Sequence, residues 1–412
     1  MTKTSKALSF IFFLSLISAC ANKSLVIPSA TVTREQVNSH YTNIAYATYS
    51  DALITAKKLQ STIKQFISSP NQNNLNLAKQ AWFEARVPYG QTEVFRFGNP
   101  NVDTWEGRVN AWPLDEGLID YVDEDSYEFE DGNRYGQANI ISGNQAISIE
   151  ALRNFHEMGG AEVNVATGYH AIEFLLWGQD LNEKPTDAGL RSYTDYLTNG
   201  DCTHGNCERR AQYLSQVTSL LVNDLKDMVN DWAPGKNNYR KSFLSLEPEA
   251  ALRIILFGMG SLSLGELAGE RLNVSLLAHS QEDEHSCFSD NTHVDVNENA
   301  RGIQNIYLGR YQRVDGSVIN GPSIANLVAQ SNNELAQQFT NEMQTTMKKS
   351  LEITNAARAG EAFDQQIKAG NKAGNERIRA MIIALKHQAA TLQTVANEIG
   401  IKELSPQSSD SL

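Results

Sequence analysis

The sequence predicts an all-α protein built from two helical-bundle domains. Apolar residues recur at steps of three and four over long segments, which is the pattern of amphipathic helices. Alternations of Val, Ile and Thr that would indicate strands are nearly absent, and no hairpin turn is flanked by them. The 412 residues are too many for one small core and suit two domains of ordinary size. The parallel layout of the two halves suggests a duplicated unit resembling a four-helix bundle.

The N-terminal domain is predicted to span residues 34–235. Its second helix carries Pro88 within the apolar pattern, and a kink or break is expected there because proline lacks a backbone donor. Glycine, asparagine and aspartate punctuate residues 98–145, so we expect a long irregular excursion with short helical turns. The predicted helices run over about 34–67, from 74 through Pro88, and over 146–158, 163–177 and 207–232.

The C-terminal domain is predicted to span residues 236–404, after a linker at 233–238. A turn is expected at Asp315-Gly316, and the tail 405–412 is expected to be disordered. The segments of this domain are a helix over about 247–278, a polar connection over 280–299, an apolar segment at 302–308, and helices near 322–358 and 375–400.

The first twenty residues predict a lipoprotein signal peptide. Lys3 and Lys6 precede an apolar run over 7–17, which is the length of a signal-peptide core and too short to span a bilayer. The sequence LISAC at 16–20 resembles the lipobox of bacterial lipoproteins. Cleavage before Cys20 and lipidation of its thiol are therefore expected, and an ordinary secretory signal is the alternative.

The segment after the signal peptide predicts where the protein resides. Ala21, rather than an aspartate, follows Cys20, which by the sorting habit of such lipoproteins indicates the outer membrane. Residues 21–33 are predicted to form a flexible tether, and no later apolar stretch is expected to be long enough to span a membrane. We therefore expect a protein of the bacterial cell envelope that is lipid-anchored and faces the periplasm or the surface.

Composition limits the classes of partner. The chain has 35 Lys and Arg residues against 48 Asp and Glu residues, a formal net charge of −13. Phosphate binding needs a basic patch, so nucleic acid is excluded as a partner. With 41% hydrophobic and 20% charged residues, the composition is that of a folded protein rather than a disordered one.

The cysteines beyond Cys20 agree with an oxidising compartment. Cys202 and Cys207 lie in a turn-rich loop, where a short-range disulfide is expected. A metal knuckle is the alternative, but it needs four ligands and His204 is the one nearby candidate. Cys287 is then unpaired, either as a small buried hydrophobe or as a free thiol.

One helix predicts a metal-binding pair. His170 and Glu173 are three residues apart, about 60° around a helix, so their side chains can converge on one ion. Imidazole and carboxylate together suit iron, zinc or copper. Alternatively, the two side chains are buried and bond each other or a backbone carbonyl. Gly168 and the apolar run at 174–177 place them near a buried face, where they need a partner or a ligand.

Two further segments supply candidate site residues. Helical spacing would put Arg86, Tyr89 and Glu93 on one side of a helix, were Pro88 not to interrupt it. In the excursion, Asp115 and Glu116 lie close in sequence to Trp112, and they belong either to a site or to a solvated acidic loop.

A third segment, residues 281–293, combines acids, hydroxyl groups and two of the eight histidines. Its candidate site residues include His285 and Ser289. Asp290 and His293 have metal-ligand spacing if the segment is helical. The alternative is a polar connection between helices.

Other chemistries lack their motifs. The chain has no G-x-S-x-G elbow, P-loop or Rossmann glycine fingerprint in a strand-to-helix context. The zincin motif H-E-x-x-H is also missing, so zinc-protease chemistry would need ligands from elsewhere.

At residues 168–173, the sequence GYHAIE resembles the GxHxxE signature of the imelysin family. Four blocks also resemble its iron-regulated lipoprotein branch: Arg86–Phe97, Asn110–Tyr121, Cys202–Leu214 and Glu282–His293. The resemblance covers nearly the whole mature chain. It implies two related helical-bundle domains, with the signature near their interface. The family is classed among peptidases, whereas its iron-regulated members imply a role in iron acquisition.

Three functions compete at this point. The first is non-catalytic binding of a transition metal or a small iron-bearing ligand, with iron favoured and zinc or copper as alternatives. The second is a metallopeptidase that uses the histidine–glutamate pair, and the third is a surface scaffold for another envelope protein. For the first function the candidate ligands are His170, Glu173, Glu93, Asp290 and His293.

Overall fold

A computed structural model describes residues 31–129, 131–181 and 188–407, and it confirms the all-α prediction. The predicted signal peptide, Cys20 and most of the tether lie outside the described residues. The helices are α1 (Arg34–Ser68), α2 (Gln72–Gly90), α3 (Pro100–Asn110), α4 (Ile149–Phe155), α5 (Gly168–Trp177), α6 (Cys207–Trp232), α7 (Tyr239–Leu244), α8 (Pro248–Ser261), α9 (Ser275–Ala278), α10 (Thr292–Leu308), α11 (Ile324–Ser331), α12 (Asn333–Arg358), α13 (Phe363–Ile367) and α14 (Lys372–Glu398). Short 3-10 turns lie at Glu93–Phe95, Glu116–Leu118, Met158–Gly160 and Tyr193–Tyr196.

Helix α1 begins and ends where its sequence signals predict. Thr33 accepts a hydrogen bond from the backbone of Gln36, whose side chain in turn accepts one from Thr33, which is a capping box. The apolar face of α1 packs against α2 and α6. These three helices form the framework of the N-terminal half.

Helix α2 does not break at Pro88. The proline lies in the last turn, and the helix ends two residues later at Gly90. The excursion that follows is more regular than expected, because α3 occupies Pro100–Asn110 with its proline in the first turn. Proline is tolerated there since the first helical N–H groups have no partner within the helix. The irregular part of the excursion therefore runs from residue 111 to 148.

The long apolar helix of the C-terminal half is continuous from α8 through a π-helical segment, Leu262–Val274, into α9. The expectation that no stretch after the signal peptide reaches a spanning length was wrong. Pro248–Ala278, 31 residues, is long and apolar enough to cross a membrane by length and composition, but 67% of its most apolar window is buried within the protein. Such burial is typical of a core helix.

The C-terminal half contains a small sheet that the sequence reading missed. Strands β1 (Arg310–Gln312) and β2 (Val318–Asn320) pair antiparallel, with Tyr311 opposite Ile319, on either side of the Asp315-Gly316 turn. Three-residue strands are too short to show an alternating pattern. The buried Tyr311 hydroxyl donates to Asp51 of α1 at 2.9 Å, which anchors the hairpin.

Two other expectations for the C-terminal half need correction. Helix α10 begins at Thr292, so the polar connection ends there and not at residue 299. The described part of the tail is bound: the Gln407 backbone donates to the Ser261 hydroxyl at 3.0 Å. Residues 408–412 lie outside the described residues.

The two halves share an interface. Helix α2 packs against α10, and α1 packs against α8. Buried apolar residues of both halves belong to one continuous cluster. The division into domains at residues 235 and 236 stays a prediction.

Candidate functional site

Helix α5, which carries His170 and Glu173, begins at Gly168, a position where any other residue would be strained. Gly168 has φ +83°, and a Cβ atom there would lie 2.5 Å from the carbonyl oxygen of Val109 at the end of α3. Positive φ and this close approach both favour glycine. Helix α5 therefore starts directly against the chain that leads into the excursion, and all ten of its residues are buried.

His170 and Glu173 bond each other on the buried face of α5. His170 Nδ1 lies 2.8 Å from Glu173 Oε2. The other carboxylate oxygen, Oε1, accepts hydrogen bonds from the backbone N–H of Ser289 at 3.1 Å and from its hydroxyl at 2.6 Å. Both oxygens of Glu173 are therefore engaged. The carboxylate orients the imidazole and ties α5 to the segment that precedes α10.

The second ring nitrogen of His170 has no such partner. His170 Nε2 is buried and makes no hydrogen bond with the described residues. Burial lowers the pKa of His170 well below its usual value, so the imidazole is neutral. When Glu173 is ionised, the Nδ1–H donates to its carboxylate and the ring carries its lone pair on Nε2. Burial raises the pKa of Glu173 well above its usual value, and a cation at Nε2 would favour the ionised form. A buried polar atom left in this state costs free energy, which a ligand would offset.

A second histidine lies beside the first. The ring of His285 meets that of His170 edge to face, with 4.7 Å between centroids. His285 Nδ1 lies 3.1 Å from Asp295 Oδ2, and the Asn110 amide nitrogen lies 3.3 Å from Nε2. Burial and the charge of Arg271 lower the pKa of His285 to about 3. This ring is therefore also neutral, with Nδ1–H donating to Asp295.

A buried ion pair supports His285. Arg86 Nη2 lies 2.9 Å from Asp295 Oδ1, and both side chains are 1% exposed. Arg86 also donates to the Asn110 side chain. Because Arg86 belongs to α2 and Asp295 to α10, the pair joins the two halves directly behind the histidine rings. The Arg86 charge lowers the pKa of Asp295 far below its usual value despite burial.

Both histidines line one cavity of about 370 Å³. One wall comes from the excursion and the other from the segment before α10. Its lining residues are Trp112, Pro113, Leu114, Asp115, Glu116, Glu128, Phe129, Val163, His170, Ser280, Glu282, Glu284, His285, Cys287 and Phe288. A volume of this size is that of a small-ligand site.

Two acids of the cavity have raised pKa values. Neither carboxylate oxygen of Glu284, a residue 2% exposed, makes a hydrogen bond with the described residues. Burial and the charges of Asp364 and Asp290 raise the pKa of Glu284 well above its usual value. Burial and the charge of Glu282 raise the pKa of Glu116 to about 8. A cation in the cavity would favour the ionised form of each of these acids.

Three of the predicted metal ligands lie elsewhere. Glu93 pairs with Arg271 at 2.9 Å, and neither residue lines the cavity. Asp290 and His293 line a different depression, of about 740 Å³. Their expected helical spacing was wrong, because Asp290 has φ +59° and precedes α10, and His293 Nδ1 donates to the Asp290 carbonyl oxygen at 2.9 Å. The structure therefore does not bring these three to His170.

The other predicted site residues divide in the same way. Asp115, Glu116 and His285 line the cavity, and Ser289 binds Glu173. Tyr89 packs against the ring of Tyr169, with 4.7 Å between ring centroids, and does not line the cavity. Arg86 acts through Asp295.

Sequence reasoning missed four contributors. Asp295 and Asn110 hold His285, and Glu282 and Glu284 line the cavity. Asn110, Glu282 and Glu284 fall inside two of the blocks that resemble the iron-regulated branch, which was the one signal that could have found them. Asp295 lies just beyond such a block.

The cavity does not hold a preformed set of ligands. Over residues 31–129, 131–181 and 188–407, no group of three or more His, Cys, Asp or Glu side chains lies close enough together to bind a metal ion. The donor types nevertheless fit a transition metal, because one cavity is lined by several carboxylate side chains and by a histidine whose Nε2 has no partner among the described residues.

The cysteines lie apart in two environments. Cys202 and Cys207 form a disulfide at the start of α6. The nearby His204 is no metal-knuckle ligand, because its Nδ1 lies 2.8 Å from the carboxylate of Asp195. Cys287 is free and half-buried at the cavity.

The fold and the site define an all-α protein whose two halves enclose a histidine- and carboxylate-lined cavity. The imelysin family model matches residues 45–392, and the chain belongs to this family, which confirms the resemblance seen in the sequence. Iron-regulated protein A of Synechococcus elongatus is 23% identical over 341 residues, covering 80% of this chain and 77% of that protein.

Two solved structures share the fold. A Parabacteroides distasonis structure titled as an iron-regulated protein A precursor has a TM-score of 0.68 at 18% identity, covering 90% of this chain and 96% of that one. An imelysin-like protein of Psychrobacter arcticum has a TM-score of 0.58 at 13% identity, covering 91% and 99%.

Proposed function

We propose that this chain is a non-catalytic binding protein for a transition-metal cation, with iron favoured, and that His170 Nε2 is its central ligand. One observation carries the proposal: this nitrogen is buried and has no partner among the described residues, on a side chain that lines the cavity. Metal-binding histidines commonly donate their other ring N–H to a carboxylate, which fixes the tautomer and raises the basicity of the ligating nitrogen. Glu173 makes that contact at 2.8 Å.

The role of Glu173 follows from its contacts. Since Ser289 occupies one oxygen and His170 the other, Glu173 serves as the partner of the ligand and not as a ligand. The remaining donors come from the cavity acids and from His285, which would exchange its contact with Asn110 for the metal. These groups must move to reach one ion, and most of them lie on irregular segments, where movement is least costly.

The identity of the metal rests on chemistry and on the relatives. Imidazole with carboxylates suits iron, zinc and copper better than the alkaline-earth cations. The name iron-regulated protein A, carried by a relative, favours iron among the three. The cavity of about 370 Å³ exceeds the needs of a bare ion, so it also has room for a small organic ligand bound to the iron.

A peptidase is the second candidate, favoured by the peptidase class of the family model. A metallopeptidase needs a general base within reach of the metal-bound water. Both oxygens of Glu173 are already engaged, so this residue is not free for that task. We therefore place binding ahead of catalysis. Chelator-sensitive cleavage of a peptide library by purified protein would reverse this order.

Calorimetric titration of the purified protein with Fe²⁺, Co²⁺ and Zn²⁺ tests the proposal. Wild type should bind one equivalent, and His170→Ala should bind at least about 100-fold more weakly because the central ligand is gone. His387→Ala is the matched control, since the His387 side chain is 66% exposed and lies outside the cavity. Equal affinity of wild type and His170→Ala would reject the site, and failure of all three metals to bind would reject the function.

We also propose that the protein is a lipid-anchored component of the bacterial envelope, located at the outer membrane. The lipobox-like sequence ending at Cys20 and the apolar run before it support this. Wild type should sediment with membranes and incorporate labelled fatty acid, whereas Cys20→Ser should do neither. A scaffold for another envelope protein would instead give the same captured partner with wild type and with His170→Ala.

A further inference from the structure

Cys287 is the one described cysteine outside the disulfide. It lies on the irregular segment between α9 and α10, and its side chain lines the cavity together with His170 and Glu284. Nothing in the proposed role of His170 requires a thiol at this position. A free thiol is also exposed to oxidation in a compartment that permits disulfides, so its presence at the cavity needs an explanation.

Two buried groups with unused bonding capacity line the same cavity as the thiol. His170 is 2% exposed and its Nε2 has no hydrogen-bond partner, and Glu284 is 2% exposed with neither carboxylate oxygen bonded to any described residue. The cavity lining therefore combines an imidazole nitrogen, a carboxylate and a thiol, which form a mixed N, O and S donor set. Such unsatisfied polar groups are uncommon in protein interiors, and a shared ligand accounts for all of them at once.

We propose that the Cys287 sulfur is a direct ligand of the metal ion held by His170, an inference that rests on the proposed function. On binding, a sulfur–metal bond forms, the S–H bond breaks, and the proton passes to solvent. The oxidation states of sulfur and metal do not change. The thiolate is then held by the cation, which outweighs the repulsion from neighbouring carboxylates.

The position of Cys287 in the chain makes this ligation feasible. Glu284, His285 and Cys287 all belong to the irregular segment that ends where α10 begins at Thr292. Ser289 fixes the far end of that segment to Glu173, so the loop can tighten around an ion without displacing α5. A soft sulfur donor would also select Fe²⁺, Zn²⁺ or Co²⁺ over Mg²⁺ and Ca²⁺.

The spectrum of bound Co²⁺ tests the sulfur ligand directly. The full chain with Cys20→Ser keeps Cys287 as its one thiol outside the disulfide, and Co²⁺ is the probe. We expect a near-ultraviolet thiolate-to-cobalt charge-transfer band that saturates at one equivalent. Further replacement by Cys287→Ser should remove the band and weaken Co²⁺ binding about 10- to 100-fold. Unchanged absorption in the Cys287→Ser protein would overturn the proposal.

Alkylation of the thiol gives a second readout that needs no variant at the site. Saturating Co²⁺ should slow the reaction of Cys287 with iodoacetamide at least about 10-fold, because a coordinated thiolate is shielded from the reagent. Mg²⁺ at the same concentration should have no effect. If Co²⁺ binds by calorimetry but gives neither band nor protection, the sulfur ligand is refuted and the proposed function stands. If Fe²⁺, Co²⁺ and Zn²⁺ all fail to bind, both are refuted.

Discussion

Replacement of Glu173 by glutamine separates the orienting role of this residue from a structural one. Glutamine has nearly the same shape, and its amide oxygen can still accept both hydrogen bonds from Ser289. Its amide NH₂ then faces His170 Nδ1, where the wild-type carboxylate oxygen lies at 2.8 Å. A donor opposite a donor is unfavourable, so the imidazole should change tautomer, with its lone pair on Nδ1 and its proton on Nε2.

The expected loss follows from that tautomer. With a proton on Nε2, His170 no longer offers a lone pair to the cavity, and restoring the binding tautomer costs the amide its hydrogen bond. Loss of such a supporting contact typically weakens metal binding 10- to 100-fold, or about 1.4 to 2.7 kcal/mol. The free energy of unfolding should change by about 1 kcal/mol or less, because residue 173 stays hydrogen-bonded both to Ser289 and to the imidazole of His170.

Calorimetry with Co²⁺ in parallel with urea denaturation distinguishes these effects. The matched control is Glu376→Gln, which makes the same substitution at an exposed position of α14 and should leave affinity and stability unchanged. If Glu173→Gln bound Co²⁺ within a factor of about two of wild type, the orienting role would be wrong. Equal losses of stability and affinity would indicate a packing role instead.

Three further predictions concern stability and its dependence on pH. Arg86→Met should lower the free energy of unfolding in urea by about 3 to 5 kcal/mol, because it leaves the buried carboxylate of Asp295 unpaired; a change below about 1 kcal/mol would contradict the ion pair. Cys202→Ala should cost about 2 kcal/mol through loss of a short disulfide loop while leaving Co²⁺ affinity unchanged; weaker binding would show that the loop is coupled to the cavity. Because the pKa of Glu116 is raised to about 8 in the folded protein, its protonated form stabilises the fold below the unfolded pKa of about 4.5, and this stability is lost as the pH rises through 8. Glu116→Gln should therefore flatten the decline in melting temperature between pH 5 and 9, measured with chelator present. An unaltered slope would refute that role.

Most of the helical framework could be predicted because its cause is local. The three- and four-residue apolar spacing places α1 and α6 within about one residue of their observed bounds. Helix α3 was missed since its flanking glycines and asparagines resemble those of a loop. The hairpin at Asp315-Gly316 was missed because each strand has three residues, which is too few for a period of two to be visible.

The site could be predicted only in part, because most of its contacts join distant positions in the chain. Three-residue spacing identified His170 and Glu173, but the sequence could not show that Ser289, 116 positions away, occupies an oxygen of Glu173. Likewise, Arg86 and Asp295 are 209 positions apart. For the same reason Glu93, Asp290 and His293 were predicted as ligands together with His170, although the tertiary fold places them elsewhere.

The most direct test of the account is a crystal of the protein grown with Fe²⁺ or Co²⁺ and measured at the absorption edge of that metal. The account predicts one strong anomalous peak in the cavity, about 2.0 to 2.1 Å from His170 Nε2, with Glu173 still bonded to Nδ1. A peak bound elsewhere, or a peak in the cavity that His170 does not contact, would contradict it.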